Sequence, residues 1–286
     1  MKKYIKLARI HHYIKNLFVF LPLFFGMQLL NVNLLVKCLF GFAAFSLITS
    51  CIYIINDIHD IESDKLHPKK KSRPLASGEI SVKNGITFAI VLFVFGGIFA
   101  VMASGVNIVG YVFLLVYFLL NLIYSFGGKN IPIFDVAVLA SGFLIRLLYG
   151  AYITGIDISN WLYLTVLSIS FYLGLGKRRN ELRLGTSTRP VLKFYTYEYL
   201  DKMMHMFMAV AIVFYSLWCM ADTTVQRLSE DIILTVPVVI LIFMRYSLIV
   251  ERDSFGDPVD VIIKDKILIS LILSYFVAMS VFIYFI

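Results

Sequence analysis

Charge is what this chain has little of: 15% of its 286 residues are Asp, Glu, Lys or Arg. A water-facing globular domain carries roughly a quarter of its residues charged, so that class is excluded. Cysteine is scarce as well. Cys38, Cys51 and Cys219 lie in apolar stretches with neither metal-ligand spacing nor a paired framework. A disulfide scaffold and a thiolate metal site are thereby excluded, and the three read as small core hydrophobes. No low-complexity linker interrupts the sequence, so residues 1–286 read as a single domain. A cleavable leader is not legible either. The basic residues 1–9 are followed by a full-length apolar run without a small-residue cleavage site, which reads as a first membrane span.

Apolar residues take the place that charge leaves. They make up 60% of the chain, and the mean hydropathy is +0.85. Runs of about 18 to 22 residues recur, each able to cross a hydrocarbon core roughly 30 Å thick. A barrel would alternate polar and apolar positions, whereas residues 88–102 and 232–244 are apolar at almost every position. The fold class is therefore all-α. The reading is a polytopic membrane protein of nine transmembrane helices, at roughly 13–32, 36–55, 85–103, 108–125, 133–153, 160–176, 202–221, 231–249 and 267–285.

Basic residues outnumber acidic ones, 26 to 18, for a formal net charge of +8. Such an excess suits a nucleic acid or a membrane, and its placement decides for the membrane. With the N-terminus inside, an odd span count gathers Lys2, Lys3, Lys6, Arg9, the basics from Lys65 to Lys83, Lys129, those from Lys177 to Lys193, Arg252, Lys264 and Lys266 on one side. Little more than Lys37 and Arg227 is left on the other. The expectation is an integral protein of the plasma membrane, with no nucleic-acid partner and with N-terminus and active site cytoplasmic, on the side of the longer loops.

On that side, residues 56–64 read Asn-Asp-Ile-His-Asp-Ile-Glu-Ser-Asp and follow the second apolar run directly. At helical spacing Asn56, Asp60 and Asp64 share a face, and Asp57 lies beside it. Like charges four residues apart repel, so the row makes physical sense when a cation neutralises it. Carboxylates with a carboxamide suit Mg2+, which completes its shell with water and substrate phosphates. A solvated helix cap would explain an isolated Asp pair; three aligned oxygen ligands beside a basic run point to a metal. That run holds Lys69, Lys70, Lys71 and Arg73 between Pro68 and Pro74. Membrane anchoring would account for most of the lysines, but the prolines stiffen the loop beyond what a tether needs. Cations beside a metal row are what a metal-bound diphosphate requires. Tyr124, Lys129, Asp135, Lys177 and Arg178 are further candidates, with interfacial anchoring the plain alternative for the lysines. Arg146, inside a span, calls for a partner, either Asp135 about three turns away or a bound phosphate.

These residues resemble the UbiA superfamily of intramembrane prenyltransferases, whose first aspartate-rich motif, N-D-x-x-D-x-x-x-D, is matched by residues 56–64. The likeness is greatest to the decaprenyl-phosphate phosphoribosyltransferase branch. It extends through residues 56–78, Y-S-F-G-G-K at 124–129, D-V-A-V-L-A-S-G-F-L-I-R at 135–146, G-K-R-R-N-E-L at 176–182 and the segment 245–266. The superfamily's usual second acidic motif is replaced at 176–182 by one acid and three basics, which shifts the expected donor towards one with more phosphates.

The resemblance implies a UbiA-like bundle and transfer of a 5-phosphoribosyl group from phosphoribosyl diphosphate to a polyprenyl phosphate. Asn56, Asp60 and Asp64 would be catalytic and, with Asp57, would hold Mg2+. Lys69, Lys71, Arg73, Tyr124 and Lys129 would meet donor phosphates, and Lys177, Arg178 and Arg146 the other phosphate or the acceptor head. A homo-oligomer is left open. The alternatives are a prenyltransferase using a prenyl diphosphate and an aromatic or lipid acceptor, and a carrier for an anionic solute. The carrier is disfavoured by the clustering of charge at one face.

Overall fold

The structure is a computed structural model, and it describes residues 1–67, 70–105, 107–185, 189–252 and 258–285. Every regular element among them is helical. In chain order come α1 (Lys2–Ala8), a 3-10 helix (Ile10–Phe20), α2 (Leu21–Phe25), α3 (Val32–His59), α4 (Ile61–Leu66), α5 (Val82–Ser104) and α6 (Ile108–Ser125). They are followed by α7 (Phe134–Thr154), α8 (Asn160–Leu184), α9 (Tyr197–Met220), α10 (Asp222–Val225), α11 (Val236–Arg252), α12 (Pro258–Lys264) and α13 (Lys266–Tyr284).

Seven helical stretches among the described residues are long and apolar enough to cross a membrane: α3, α5, α6, α7, α9, Glu230–Arg252 and α13. Two of the spans expected from sequence take another form. The expected sixth span is α8, which has 25 residues and is long enough. Its apolar character is diluted by Thr165, Ser168 and Ser170, all buried. Their hydroxyls donate to the carbonyls of Trp161, Leu164 and Val166 at 2.8, 2.8 and 2.5 Å, so each polar group is satisfied within the helix. The expected first span, 13–32, is not one α-helix. It begins as an 11-residue 3-10 helix, continues as the 5-residue α2 and ends at Gly26 and Met27, where Met27 has φ 58°.

The chain forms two compact units, residues 1–128 with 145–157, and residues 129–144 with 158–286. In the first, Phe45, Ile48, Tyr117, Tyr149 and Val19 centre the core, and a second cluster joins Leu7, Ile54, Leu75, Ile80 and Leu92. Gly150 allows the 3-10 helix to lie close: a Cβ there would overlap the Val19 carbonyl. Large apolar side chains such as Ile90, Phe93, Phe95 and Leu115 remain on the outside, as a lipid-facing surface permits. In the second unit, Tyr172, Leu200, Met204, Phe243, Tyr246 and Leu268 make the core.

Candidate active site

Helix α3 has 28 residues, about 42 Å at 1.5 Å per residue, so its last turns extend beyond a hydrocarbon core of roughly 30 Å. Those turns carry Asn56 and Asp57. Regular winding stops at Asp60 (φ −94°, ψ 8°), yet Asp60 N–H still donates to the Asn56 carbonyl at 2.9 Å and Asp64 N–H to the Asp60 carbonyl at 2.8 Å. The acidic residues therefore stay in near-helical register through the break.

The residues that converge are Asp57 and Asp64, seven apart and both almost fully buried. One nitrogen of Arg73, Nη1, donates to Asp57 Oδ1 at 3.0 Å and to Asp64 Oδ2 at 2.5 Å. Lys70 Nζ stands 3.8 Å from Asp64 Oδ1, and Arg9 makes a further ion pair with Asp57. Asn56, expected on the shared face, is half-buried one position away from it. Asp60 lies at the break with its Oδ1 3.0 Å from His59 Nδ1. Asp57, expected beside the shared face, is the residue that meets Asp64 at Arg73.

The basic loop is held in this position by its apolar residues. Leu75 and Ile80 are buried in the cluster with Leu7 and Ile54, and Ile80 N–H donates to the Pro74 carbonyl at 3.0 Å. Helix α1 straps the loop from the other side: Lys6 Nζ donates to the Ser72 carbonyl at 2.6 Å and Lys3 Nζ to the Glu79 carbonyl at 3.2 Å. Arg9 ends α1 in the left-handed region, φ 53° and ψ 48°, a conformation uncommon for a non-glycine residue. There its guanidinium lies 4.8 Å from the Tyr53 ring as well as on Asp57. Lys71 is exposed, Tyr124 is half-buried at the end of α6, and Lys69 lies outside the described residues.

Arg146 is buried in the first unit, where Nε donates to Asn16 Oδ1 at 2.7 Å and Nη2 to the Tyr117 hydroxyl at 2.8 Å. Its guanidinium also stacks on Phe45 and Tyr117, 4.9 and 4.8 Å from their ring centres. These contacts join α7 to the 3-10 helix, α3 and α6, and they give Arg146 buried partners of the kind its place within a span calls for.

Asp135 belongs to the second unit, and its partner is Arg178. Both are fully buried, with Arg178 Nε donating to Asp135 Oδ2 at 2.5 Å and Nη1 to Glu181 Oε2 at 2.8 Å. Arg189 approaches Glu181 at 3.6 Å. Burial alone would raise the Glu181 pKa; Arg178, Arg189 and Lys177 outweigh it and hold the carboxyl below the usual range. The Tyr195 hydroxyl donates to Asp135 Oδ1 at 2.6 Å and accepts from Ile133 N–H at 2.5 Å. Burial first, and then the bond to Asp135, raise its pKa above the ordinary tyrosine value, so it remains a donor. The next arginine points elsewhere: Arg179 pairs with Asp201 at 2.8 Å and with Glu251. Lys177 and Lys129 are both half-buried.

Among the described residues no three His, Cys, Asp or Glu side chains converge into a ready metal cage. The fit to Mg2+ rests on Asp57 and Asp64, two hard oxygen donors meeting at one cation-holding point, which is the number of carboxylates this ion commonly takes. Arg9 and Tyr195 were not singled out in the sequence as site residues. Arg9 meets Asp57 across 48 residues and Tyr195 meets Asp135 across 60, separations for which a single sequence carries no signal.

Known proteins resemble the chain along most of its length. It is 31% identical over 283 residues to decaprenyl-phosphate phosphoribosyltransferase of Corynebacterium glutamicum, covering 95% of this chain and 83% of that protein. To the enzyme of the same name from Mycolicibacterium smegmatis it is 30% identical over 298 aligned positions, covering 98% and 92%. Its fold matches the solved structure of a UbiA homologue from Archaeoglobus fulgidus bound to GPP and Mg2+, with a TM-score of 0.72, 19% identity and coverage of 97% and 99%. The UbiA prenyltransferase family matches residues 18–258, and the chain belongs to that family.

Proposed function

We propose that this enzyme transfers a 5-phosphoribosyl group from phosphoribosyl diphosphate to a polyprenyl phosphate and releases diphosphate, with Mg2+ at the Asp57–Asp64 pair. The observation that carries the site is the meeting of two buried carboxylates at Arg73, with Arg9 and Lys70 beside them. A metal bound there would neutralise part of the diphosphate charge. Asp57, Asp60 and Asp64, with Asn56, would supply its protein ligands, and Arg73, Lys69 and Lys71 would meet the donor phosphates.

The cations stabilise the leaving charge as the ribose C1 becomes oxocarbenium-like, which is the main catalytic task. The acceptor oxygen is already anionic near neutral pH, so its placement matters more than its deprotonation. The choice of donor is supported by the names of the relatives. In the same reading, the 3-10 helix with α2 and the helix α8 also cross the bilayer. Eleven residues at about 2.0 Å and five at about 1.5 Å reach roughly 30 Å, enough for the first of these. Nine crossings, with the basic loops on the inner side, would leave the N-terminus and the carboxylate pair at the cytoplasmic face of the plasma membrane.

The second reading, a prenyl diphosphate donor, is favoured by the Archaeoglobus structure with GPP. Purified enzyme supplied with labelled phosphoribosyl diphosphate or labelled prenyl diphosphate separates the two. Labelled lipid is expected from the first in the presence of Mg2+ and is lost on chelation. Labelled lipid from the second alone would overturn the proposal.

A further inference from the structure

A 3-10 helix has three residues per turn, so side chains three apart stand one above another, about 6 Å apart along the axis. Between Ile10 and Phe20, one row is committed to the core. The Tyr13 hydroxyl is 2.8 Å from Ser50 Oγ, Asn16 Nδ2 donates to Ser46 Oγ at 2.9 Å, and Val19 is fully buried. The adjoining row is His12, Lys15 and Phe18. Arg9 heads it by contact, because the Arg9 guanidinium and the His12 ring both lie against Tyr53, 4.8 and 5.5 Å from its centre. All four residues are half-buried, neither sealed in the core nor fully in solvent. An α-helix would turn Lys15 some 60° away from His12; the tighter winding aligns them.

We propose that this row is the binding site for the phosphate monoester head of the lipid acceptor, with Lys15 as its principal contact. The inference rests on the phosphoribosyl-transfer reading above. An acceptor phosphate must reach the reacting carbon beside the donor diphosphate while its hydrocarbon tail stays in lipid. Its site therefore begins at the carboxylate pair and runs towards apolar surroundings. The row has that polarity: Arg9 touches Asp57, His12 and Lys15 supply N–H donors, and Phe18 with the exposed Leu17 follows. A phosphate monoester is recognised by two or three charge-assisted hydrogen bonds, and lysine serves as a compact point charge for it.

Binding of farnesyl phosphate to the full chain in nanodiscs tests the site, with inorganic phosphate as the tailless probe. Wild type is expected to bind farnesyl phosphate far more tightly than inorganic phosphate. Lys15→Gln should weaken farnesyl phosphate binding tenfold or more, Lys15→Arg should restore most of it, and Lys37→Gln, on the far end of α3, should change nothing. In turnover, Lys15→Gln should raise KM for the lipid phosphate and leave KM for phosphoribosyl diphosphate unchanged. Affinity within twofold of wild type in Lys15→Gln overturns the assignment, as does equal affinity for inorganic phosphate. If that variant does not fold, His12→Gln decides: a threefold or greater loss supports the row and unchanged affinity refutes it. Wild type that ignores farnesyl phosphate but binds farnesyl diphosphate removes the reaction itself, and the acceptor site with it.

Discussion

Arg73 meets two buried carboxylates through a single nitrogen, so its removal weakens the pairing of both at once and leaves Asp57 to Arg9 and Asp64 to the more distant Lys70. Arg73→Gln is expected to destabilise the fold by about 3 kcal/mol, the scale of breaking a buried ion pair, and to abolish transfer. Thermal unfolding and initial rates in nanodiscs measure the two effects. Arg73→Lys keeps the charge without the planar fork and should recover less than half of the stability. Glu181 gives a prediction in pH. Its folded pKa lies below the unfolded value, so its ion pairs stabilise above the ordinary carboxylate range and are lost as pH falls through the depressed value. Melting temperatures of wild type and Glu181→Gln should differ most above about pH 5 and converge in stronger acid. At this scale the acidic motif was legible because its residues are neighbours in sequence. The meeting of Asp57 with Asp64 was not, since it depends on Arg9 and Arg73 arriving from α1 and the basic loop.

Among the elements, the long helices α5, α6 and α9 were readable from apolar length alone, because a helix in lipid must satisfy its backbone internally. The N-terminal segment was not, because hydropathy does not distinguish winding. What holds the 3-10 helix is tertiary: Asn16 bonded to Ser46 and Arg146, and the gap above Gly150. Gly150→Ala should therefore force the Val19 backbone away, at a cost of about 1 to 3 kcal/mol, and lower the melting temperature. Gly97→Ala is the control, since nothing lies within 4 Å of a Cβ there, and it should be neutral or slightly stabilising.

For the whole molecule, the proposed orientation predicts which side each loop meets. A cysteine placed at Lys71 should react with a membrane-impermeant maleimide only after permeabilisation, and one placed at Asn107 should react in intact cells. The three native cysteines are buried and should stay silent. Labelling of the Lys71 site in intact cells would invert the topology. At this scale the sequence offers an expectation of sidedness, since asymmetric basic loops are a property of composition, whereas the grouping of residues 145–157 with 1–128 depends on packing far apart in the chain and had no signal there. The 3-10 helix also bears on biogenesis. Wound as an α-helix, the sixteen residues from Ile10 to Phe25 would reach only about 24 Å, short of the hydrocarbon thickness. In the nine-crossing reading proposed above, the segment gains its full reach only when α3 and α7 are present to hold it in the stretched form. On that reading it should settle fully in the bilayer only once α7 has followed α3, and a chain released from the ribosome before α7 emerges should leave its N-terminal segment incompletely inserted.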